Sequence, residues 1–372
     1  MFPKEYSVEL AYLVDSVNPL PFPVIRQVVE AELLGGLPLD SVFERFEEEP
    51  LGSASIAQVH RAVLRGGREV AVKVQRPNAE ALLMKDIRDI RDFSRLTRGI
   101  FPADYFVVFS EIERQMQFEF DFRLEASGMD RVANCLCRDG RVPPVHVPRS
   151  VQGLVSRKVL CMDFVPGVPL TGLRGELERR GIDVDPESPA GQAFGRRLLE
   201  ALSDAYAFMI FEDGFFHADP HPGNVFVMPD LSTALIDFGQ TKQLNYRFRR
   251  ELAELIVLLG DLGDTEEDYA RFIERAPMMG TVYAPDAHRF CPVALTVWLF
   301  GAESETLPGG YDANELSPDS PVKDVLEFDQ EFVLVTRATL LIRGLAARLG
   351  VPWSLAQAWR GRAQAALEAG PG

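Results

Sequence analysis

An α+β chain with two lobes of different character, β-rich in front and helical behind, is what this sequence predicts. Three observations carry that expectation. Residues 51–75 hold two runs of small and β-branched apolar residues around Gly66-Gly67, which reads as strand, hairpin, strand. From about residue 245 to the end the pattern is mostly helical, broken by a polar Gly/Pro-rich loop near 303–321. The length of 372 residues, at roughly 150 per domain, gives room for two or three lobes and a large core. With 47% apolar and 25% charged residues, disorder, collagen and coiled coil are excluded as the overall class. Lys+Arg is 39 against Asp+Glu 55, a net charge of -16, so no nucleic-acid partner is expected. An anionic membrane would repel most of this surface and leave only a local patch to dock.

Taken in order, residues 4–16 and 24–34 read as short helices, split by Pro19-Leu20-Pro21-Phe22-Pro23 and closed by Gly35-Gly36. Two helices follow the hairpin, at about 78–98 and 104–136, and Val159–Phe164 reads as a short strand ended by Pro166-Gly167. A helix over about 190–213 runs into a turn at Gly214. Residues 217–239 alternate between loop and two short strands, Val225–Val227 and Ala234–Ile236. Cys135 and Cys137 are too close for an ordinary disulfide and lack a second ligand pair, so all four cysteines are expected reduced, with no zinc. No apolar run reaches the ~18 residues of a membrane span. The start, Met1-Phe2-Pro3-Lys4-Glu5, resembles neither a signal nor a transit peptide.

The densest chemistry lies in His217-Ala218-Asp219-Pro220-His221-Pro222-Gly223-Asn224, followed by Ile236-Asp237-Phe238-Gly239. Phosphoryl transfer from ATP needs a carboxylate that orients or accepts a proton from the attacking hydroxyl, and hard oxygen ligands for Mg²⁺. Kinases place that Asp and an Asn five residues apart, with an Asp-Phe-Gly beyond two short strands. Asp219 and Asn224 have that spacing, and Asp237 follows thirteen residues later. Upstream, Lys73 in Glu69-Val70-Ala71-Val72-Lys73-Val74 alternates with apolar residues, as a phosphate-binding lysine on a strand would. Taken alone, such a lysine is more often a solvent-facing strand residue; the downstream constellation reverses that weighting. Asp121 and Glu125 are four apart on the helix expected over 104–136, so one face would carry both, and Glu119, Asp121 or Glu125 is available to pair with Lys73.

These stretches resemble the UbiB-type atypical kinases, the aarF-domain family associated with coenzyme Q and other prenyl-quinone lipids. The matching segments are Pro50–Ala62 (PLGSASIAQVHRA), Val70–Pro77 (VAVKVQRP), Phe118–Ala126 (FEFDFRLEA), Val159–Gly167 (VLCMDFVPG), Gly214–Asn224 (GFFHADPHPGN) and Leu235–Gln240 (LIDFGQ). The resemblance implies a protein-kinase-like bilobal fold: a helical extension over 1–50, a small sheet lobe over 51–162 and a helical lobe over 163–372. It implies Lys73 as the phosphate lysine with Glu125 as partner, Glu119 and Asp121 as the E-x-D motif, and Asp219 as the catalytic carboxylate. Asn224 and Asp237 would bind Mg²⁺, and His217 belongs to the same motif. Gly52, Ser53, Ala54 and Ser55 would cover the phosphates of ATP, and Met162, Asp163, Phe164 and Val165 would line the adenine pocket. The implied partners are a prenyl-lipid or quinone intermediate, a membrane surface and proteins of quinone biosynthesis. The implied location is mitochondrion or chloroplast in a eukaryote, or membrane-associated cytoplasm in a bacterium.

Two departures from the family pattern stand out. The K-x-G-Q helix that precedes the region matching Phe2–Leu13 has no counterpart, so the expectation is a chain truncated at its N-terminus or a member without that lid. The first alanine of the family's loop is Gly52 here, which should ease approach to phosphates. Other readings fit less well. A zinc site at His217, Asp219 and His221 lacks further ligands at the right spacing, since His60, His146 and His288 are scattered. A small-molecule phosphotransferase of the aminoglycoside or choline type shares the His-x-Asp-x₄-Asn loop but not the alanine-rich loop or the E-x-D segment. A conventional protein kinase needs an activation segment, and only Gln240–Leu244 separates Asp-Phe-Gly from the next helix. A nucleotide-gated lipid-binding scaffold without catalysis is the alternative of a different class, and it has no need of Asp219.

Overall fold

The computed structural model describes residues 17–96, 105–179, 181, 185, 188–302, 304, 306–314 and 317–370. The helix expected over 4–16 lies outside the described residues. The chain divides into two compact units: residues 1–131, 148–165 and 237–239 form the first, and 132–147, 166–236 and 240–372 the second.

In the first unit, α1 (Phe22–Glu32) precedes β1 (Phe43–Ser53), β2 (Ala57–Leu64) and β3 (Glu69–Gln75). Then come α2 (Ala79–Leu96), α3 (Tyr105–Glu119), α4 (Phe122–Leu136), β4 (Ser150–Val155) and β5 (Val159–Asp163). The strands form one antiparallel sheet in the order β1-β2-β3-β5-β4. Val70, Val72 and Val74 of β3 project to one face and pack with Ile25 and Val29 of α1, Ala62 of β2, and Val159 and Cys161 of β5, all fully buried. Each of these valines and Ile25 contributes roughly 1.5–3 kcal/mol of burial. A one-residue slip of β3 would drive Lys73 into that core, so the packing fixes the register that presents the lysine on the opposite face.

Three local expectations change. Residues 43–50, expected in a helical extension, form the first part of β1. The run Glu47-Glu48-Glu49-Pro50 masks the strand, because β1 is a sheet edge whose register shifts around Pro50 and whose side chains are mostly exposed. Edges tolerate charge, bulges and proline in this way. Strand β4 was not anticipated at all. The single helix expected over 104–136 is two, α3 and α4, broken at Phe120 and Asp121. Phe120 is fully buried, and its carbonyl accepts from Gln75 Nε2 at 3.2 Å instead of continuing a helical ladder.

After the last residues of α4, from 132 on, the second unit continues with β6 (Val168–Pro169) and α5 (Leu173–Arg179), then α6 (Pro189–Ala207), which runs directly into a π-helical turn, Phe208–Asp213. Gly214 ends that turn with φ 70°, the left-handed conformation that favours glycine. Strands β7 (Phe215–His217), β8 (Val225–Val227), β9 (Thr233–Leu235) and β10 (Thr241–Gln243) follow. Of these, β7 pairs with β10 and β8 lies between β6 and β9. The helices α7 (Tyr246–Gly260), α8 (Glu266–Arg275), α9 (Cys291–Phe300), α10 (Gln330–Arg348) and α11 (Leu355–Ala369) complete the unit. Trp359 of α11 is fully buried between Phe211 and Phe300, and its indole N–H donates to Ser203 O on α6 at 2.9 Å. That bond lets a polar handle sit in the core without an unsatisfied donor.

Candidate active site

In the first unit, Lys73 Nζ donates to both carboxylate oxygens of Glu125, at 2.8 and 2.9 Å, and to Asp237 Oδ2 at 3.3 Å. The lysine sits in the middle of β3, and Glu125 lies in the first turn of α4. The Lys73 side chain is 14% exposed and that of Glu125 5%, so both charges are withdrawn from water. The Phe122 ring covers the ammonium at 5.3 Å. Burial alone would push the Lys73 ammonium down, but the Asp237 and Glu125 carboxylates outweigh it and hold the group well above its ordinary value. Burial pushes the Glu125 carboxyl up, with the Asp237 carboxylate adding and the Lys73 ammonium opposing. One cation thus serves two carboxylates, and the trio carries an excess negative charge suited to receive further positive charge.

Asp237 is the exposed member, with its side chain 48% accessible. Its φ of 60° is left-handed, a conformation that costs most residues strain and that Asp tolerates better than most. The turn so formed lets Gly239 N donate to Asp237 Oδ1 at 3.2 Å.

The other residues expected around a nucleotide in this unit are distributed as follows. Gly52 and Ser53 end β1, facing Val59 and Gln58 across the ladder. Ala54 N donates to Ala57 O at 2.9 Å to close the turn that includes Ser55, and Ser53 Oγ accepts from Arg76 Nη2 at 2.8 Å. A Cβ at Gly52 would meet nothing within 4 Å, so the fold itself does not demand glycine there. Met162 and Asp163 end β5. The Asp163 carboxylate is held by Arg68 Nε at 3.1 Å and by Arg149 N at 3.2 Å, and the Phe164 ring lies under the Arg61 guanidinium at 4.6 Å. Those two side chains serve the sheet, and so do their backbone N–H groups, Asp163 N donating to Arg149 O at 3.0 Å and Phe164 N to Glu69 O at 3.4 Å; Val165 is buried.

The expected shared helix face of Asp121 and Glu125 is corrected by the break between α3 and α4. Glu119 ends α3, and Asp121 lies outside both helices. Asp121 Oδ1 accepts from Arg123 N at 3.1 Å, in the manner of an N-cap on α4. Its carboxylate also takes the Arg123 guanidinium, at 2.8 and 2.6 Å, and that bond first of all holds it below the usual carboxylate range. Asp121 therefore sets where α4 starts, and so where Glu125 stands.

In the second unit, the segment 217–224 is fixed at each step. His217 is fully buried, with Nδ1 3.1 Å from the Tyr206 hydroxyl. Burial, and then the Asp219 carboxylate, push the Tyr206 phenol well up, so it keeps its proton. Ala218 N donates to Gln240 O at 2.9 Å. Asn224 Nδ2 donates to Asp219 O at 3.1 Å, which braces the loop across its five-residue span and leaves the amide oxygen as the group available to a cation. Gly223 N donates to His221 Nδ1 at 3.0 Å, and a Cβ on residue 223 would lie 2.7 Å from that ring, so only glycine allows the fold-back. With Nδ1 of both histidines engaged, the loop is organised by hydrogen bonds. Among the described residues, no group of three His, Cys, Asp or Glu side chains is placed to hold a metal. Asp219 Oδ1 accepts from Arg337 Nη2 at 2.9 Å. Arg337 escapes sequence reading, because it sits on α10, far from every motif, in a segment that reads as ordinary amphipathic helix.

The comparisons with known proteins follow the same outline. Residues 12–268 match the ABC1 atypical kinase-like domain. A chloroplastic protein of Arabidopsis thaliana, ACTIVITY OF BC1 COMPLEX KINASE 7, is 29% identical over 99% of this chain and 51% of its own length. AarF domain-containing protein kinase 1 of Gallus gallus is 35% identical over 70% of this chain and 48% of its own length. The chain thus spans about half the length of these relatives. Rv3197 of Mycobacterium tuberculosis, solved in complex with erythromycin, superposes with a TM-score of 0.66 at 22% identity, covering 96% of this chain and 87% of that one. At that identity the likeness concerns the fold, which is kinase-like.

Proposed function

This chain belongs to the ABC1 atypical kinase-like family, and from that premise we propose that it is an ATP-dependent phosphotransferase or ATPase of the UbiB type acting in prenyl-quinone lipid metabolism. The observation that carries the reading is the Lys73–Glu125–Asp237 trio. A structural ion pair needs one carboxylate; this lysine has two, with the second half-exposed on a left-handed residue. That arrangement suits a lysine that binds phosphate oxygens of ATP while Glu125 holds it in place. The donor types fit magnesium, which takes hard oxygen ligands from one or two protein groups together with phosphate and water. Asp237 in the first unit and Asn224 in the second each carry a donor of that type, and the ion when bound would neutralise charge on the phosphates. Asp219 would orient the acceptor hydroxyl, or water, and take its proton. The acceptor oxygen bonds to the γ-phosphorus as the bond to the bridging oxygen breaks, and ADP leaves with that electron pair.

The acceptor class is proposed from family membership and from the short connection after Gly239, where β10 begins at Thr241 and α7 at Tyr246. That connection has no length for a peptide-docking activation segment. Among the described residues no helix is long and apolar enough to cross a membrane. Membrane contact through a surface patch or a partner protein of quinone biosynthesis is part of the proposal. Relatives named chloroplastic support an organellar site if the source is a eukaryote, with membrane-associated cytoplasm the bacterial counterpart.

The test is ATP turnover by the wild type and Asp219→Asn, with and without liposomes and phenolic quinone precursors, beside a panel of peptides. Expected are a lipid- or phenol-stimulated rate, a loss of about 100-fold or more in Asp219→Asn, and little peptide phosphorylation. Equal turnover in the two proteins would favour the non-catalytic scaffold. Strong peptide phosphorylation indifferent to lipid would overturn the acceptor class.

A further inference from the structure

We propose that Arg337 is a positioning residue for Asp219: it straps the loop bearing that carboxylate to the residue after Asp-Phe-Gly and presents one chosen oxygen to the acceptor. This rests on the catalytic reading of Asp219 given above. The Arg337 guanidinium donates Nη2–H to Asp219 Oδ1 and Nη1–H to Gln240 Oε1, both at 2.9 Å. Gln240 is already tied to the same loop through its backbone, since its carbonyl accepts from Ala218 N at 2.9 Å and β10 starts at the next residue, where Thr241 pairs with His217. The two segments are therefore crossed twice, once by the backbone ladder and once by a side-chain fork. Asp219 Oδ1 is occupied, while Oδ2 has no partner among the described residues.

Arg337 can do this because of where α10 puts it. Phe332, Val335, Ala338, Thr339 and Ile342 form the buried stripe of the helix, and residue 337 stands beside that stripe. The planar fork of arginine matches two oxygens held at a fixed separation, which a lysine ammonium does not. Stability does not account for the contact, because the Arg337 side chain is 46% exposed and ion pairs that exposed contribute little. What the fork supplies is orientation: without it the Asp219 carboxylate can rotate about its side-chain torsions, and a misplacement of about 1 Å costs on the order of 100-fold in rate.

The experiment measures kcat, nucleotide KM and thermal midpoint for wild type, Asp219→Asn, Arg337→Gln and Arg337→Lys. Arg337→Gln should lower kcat about 10- to 100-fold with nucleotide KM and midpoint close to wild type, and Arg337→Lys should recover part of the loss. Wild-type kcat in Arg337→Gln beside a dead Asp219→Asn overturns the positioning role and leaves the catalytic reading intact. A proportional loss of kcat, affinity and midpoint that lysine does not relieve also overturns it, since a merely structural contact would behave so. Equal turnover in wild type and Asp219→Asn removes the catalytic reading itself, and the strap with it.

Discussion

The two units hold their chemistry by opposite means. In the first, Lys73 and Glu125 are withdrawn from water and bound to each other, so charge is stabilised by counter-charge within the fold. In the second, Asp219 is held by a half-exposed arginine, and its loop is braced by neutral hydrogen bonds: Asn224 Nδ2 donates to Asp219 O, Ala218 N to Gln240 O and Gly223 N to His221 Nδ1. A buried pair cannot lose one member cheaply, because the survivor is left as an uncompensated charge in a poor solvent. The partner of Asp219 is a half-exposed arginine, which water takes up again when that carboxylate loses its charge. The first arrangement couples function to folding, and the second lets function be altered with little cost to the fold.

The largest effect should follow from breaking the buried pair. Glu125→Ala leaves Lys73 with only the half-exposed Asp237 and should cost about 3 kcal/mol of unfolding free energy, the low end for a broken buried pair. Asp219→Asn should cost less than about 1 kcal/mol, as expected where the charged partner is a half-exposed arginine and the amide keeps the size of the carboxylate. Urea unfolding of both variants without nucleotide checks this. Equal losses would break the contrast between the units.

The same contrast explains what could be read from the sequence. The catalytic-type loop was legible because its spacing is local: Asp219 and Asn224 are joined by a backbone brace across five residues, and the chain itself writes that geometry. Lys73 was legible because strand alternation assigns it a face. Glu125 was one of three acids equally open as partners on the residues alone, and family resemblance singled it out. The break at Phe120 and Asp121 that places it depends on Phe120 being buried and on Gln75, 45 residues away. Strand β1 was missed because an edge strand can be written in glutamates. Arg337 was invisible because its partner lies 118 residues away and no periodicity marks a helix residue beside the buried stripe.

A smaller effect tests whether the first unit's dependence on buried polar groups extends beyond the lysine. His60 on β2 is fully buried, with Nδ1 3.0 Å from Glu47 O and Nε2 3.4 Å from Gln58 Nε2. Those contacts suit a neutral ring that donates from Nδ1 and accepts at Nε2. Burial holds the ring below the ordinary imidazole value, against the Glu47 carbonyl. The sign follows: the folded value is the lower one, so the contribution is present above the unfolded value near 6.5 and is lost as pH falls towards the folded value. The slope from this one site is at most about 1.4 kcal/mol per pH unit. Urea midpoints between pH 7.5 and 5 should fall faster for wild type than for His60→Gln. Identical slopes would mean that the ring is charged in the fold, or exposed.

The smallest effect is kinetic and distinguishes the units one residue at a time. Burial raises the thiols of Cys161 to about 12 and of Cys135 and Cys291 to about 11, and all three are buried, whereas Cys137 is exposed. A thiol reacts as thiolate, so at pH 8 the native protein should take up one equivalent of maleimide quickly and four only in denaturant. Slow labelling of the other three then reports local opening of the segment that carries each. Cys161 is paired with Val72 across the β3–β5 ladder, next to the register position that joins Lys73 to Leu160. Cys291 begins α9 in the second unit. Because Glu125 fixes the lysine strand from its charged face, Glu125→Ala should speed labelling of Cys161 and leave Cys291 unchanged, as read by peptide mass spectrometry. Asp219→Asn should move neither. If Glu125→Ala speeds both thiols alike, the protein opens as one cooperative body, and the buried pair stabilises the whole chain rather than the unit in which it lies.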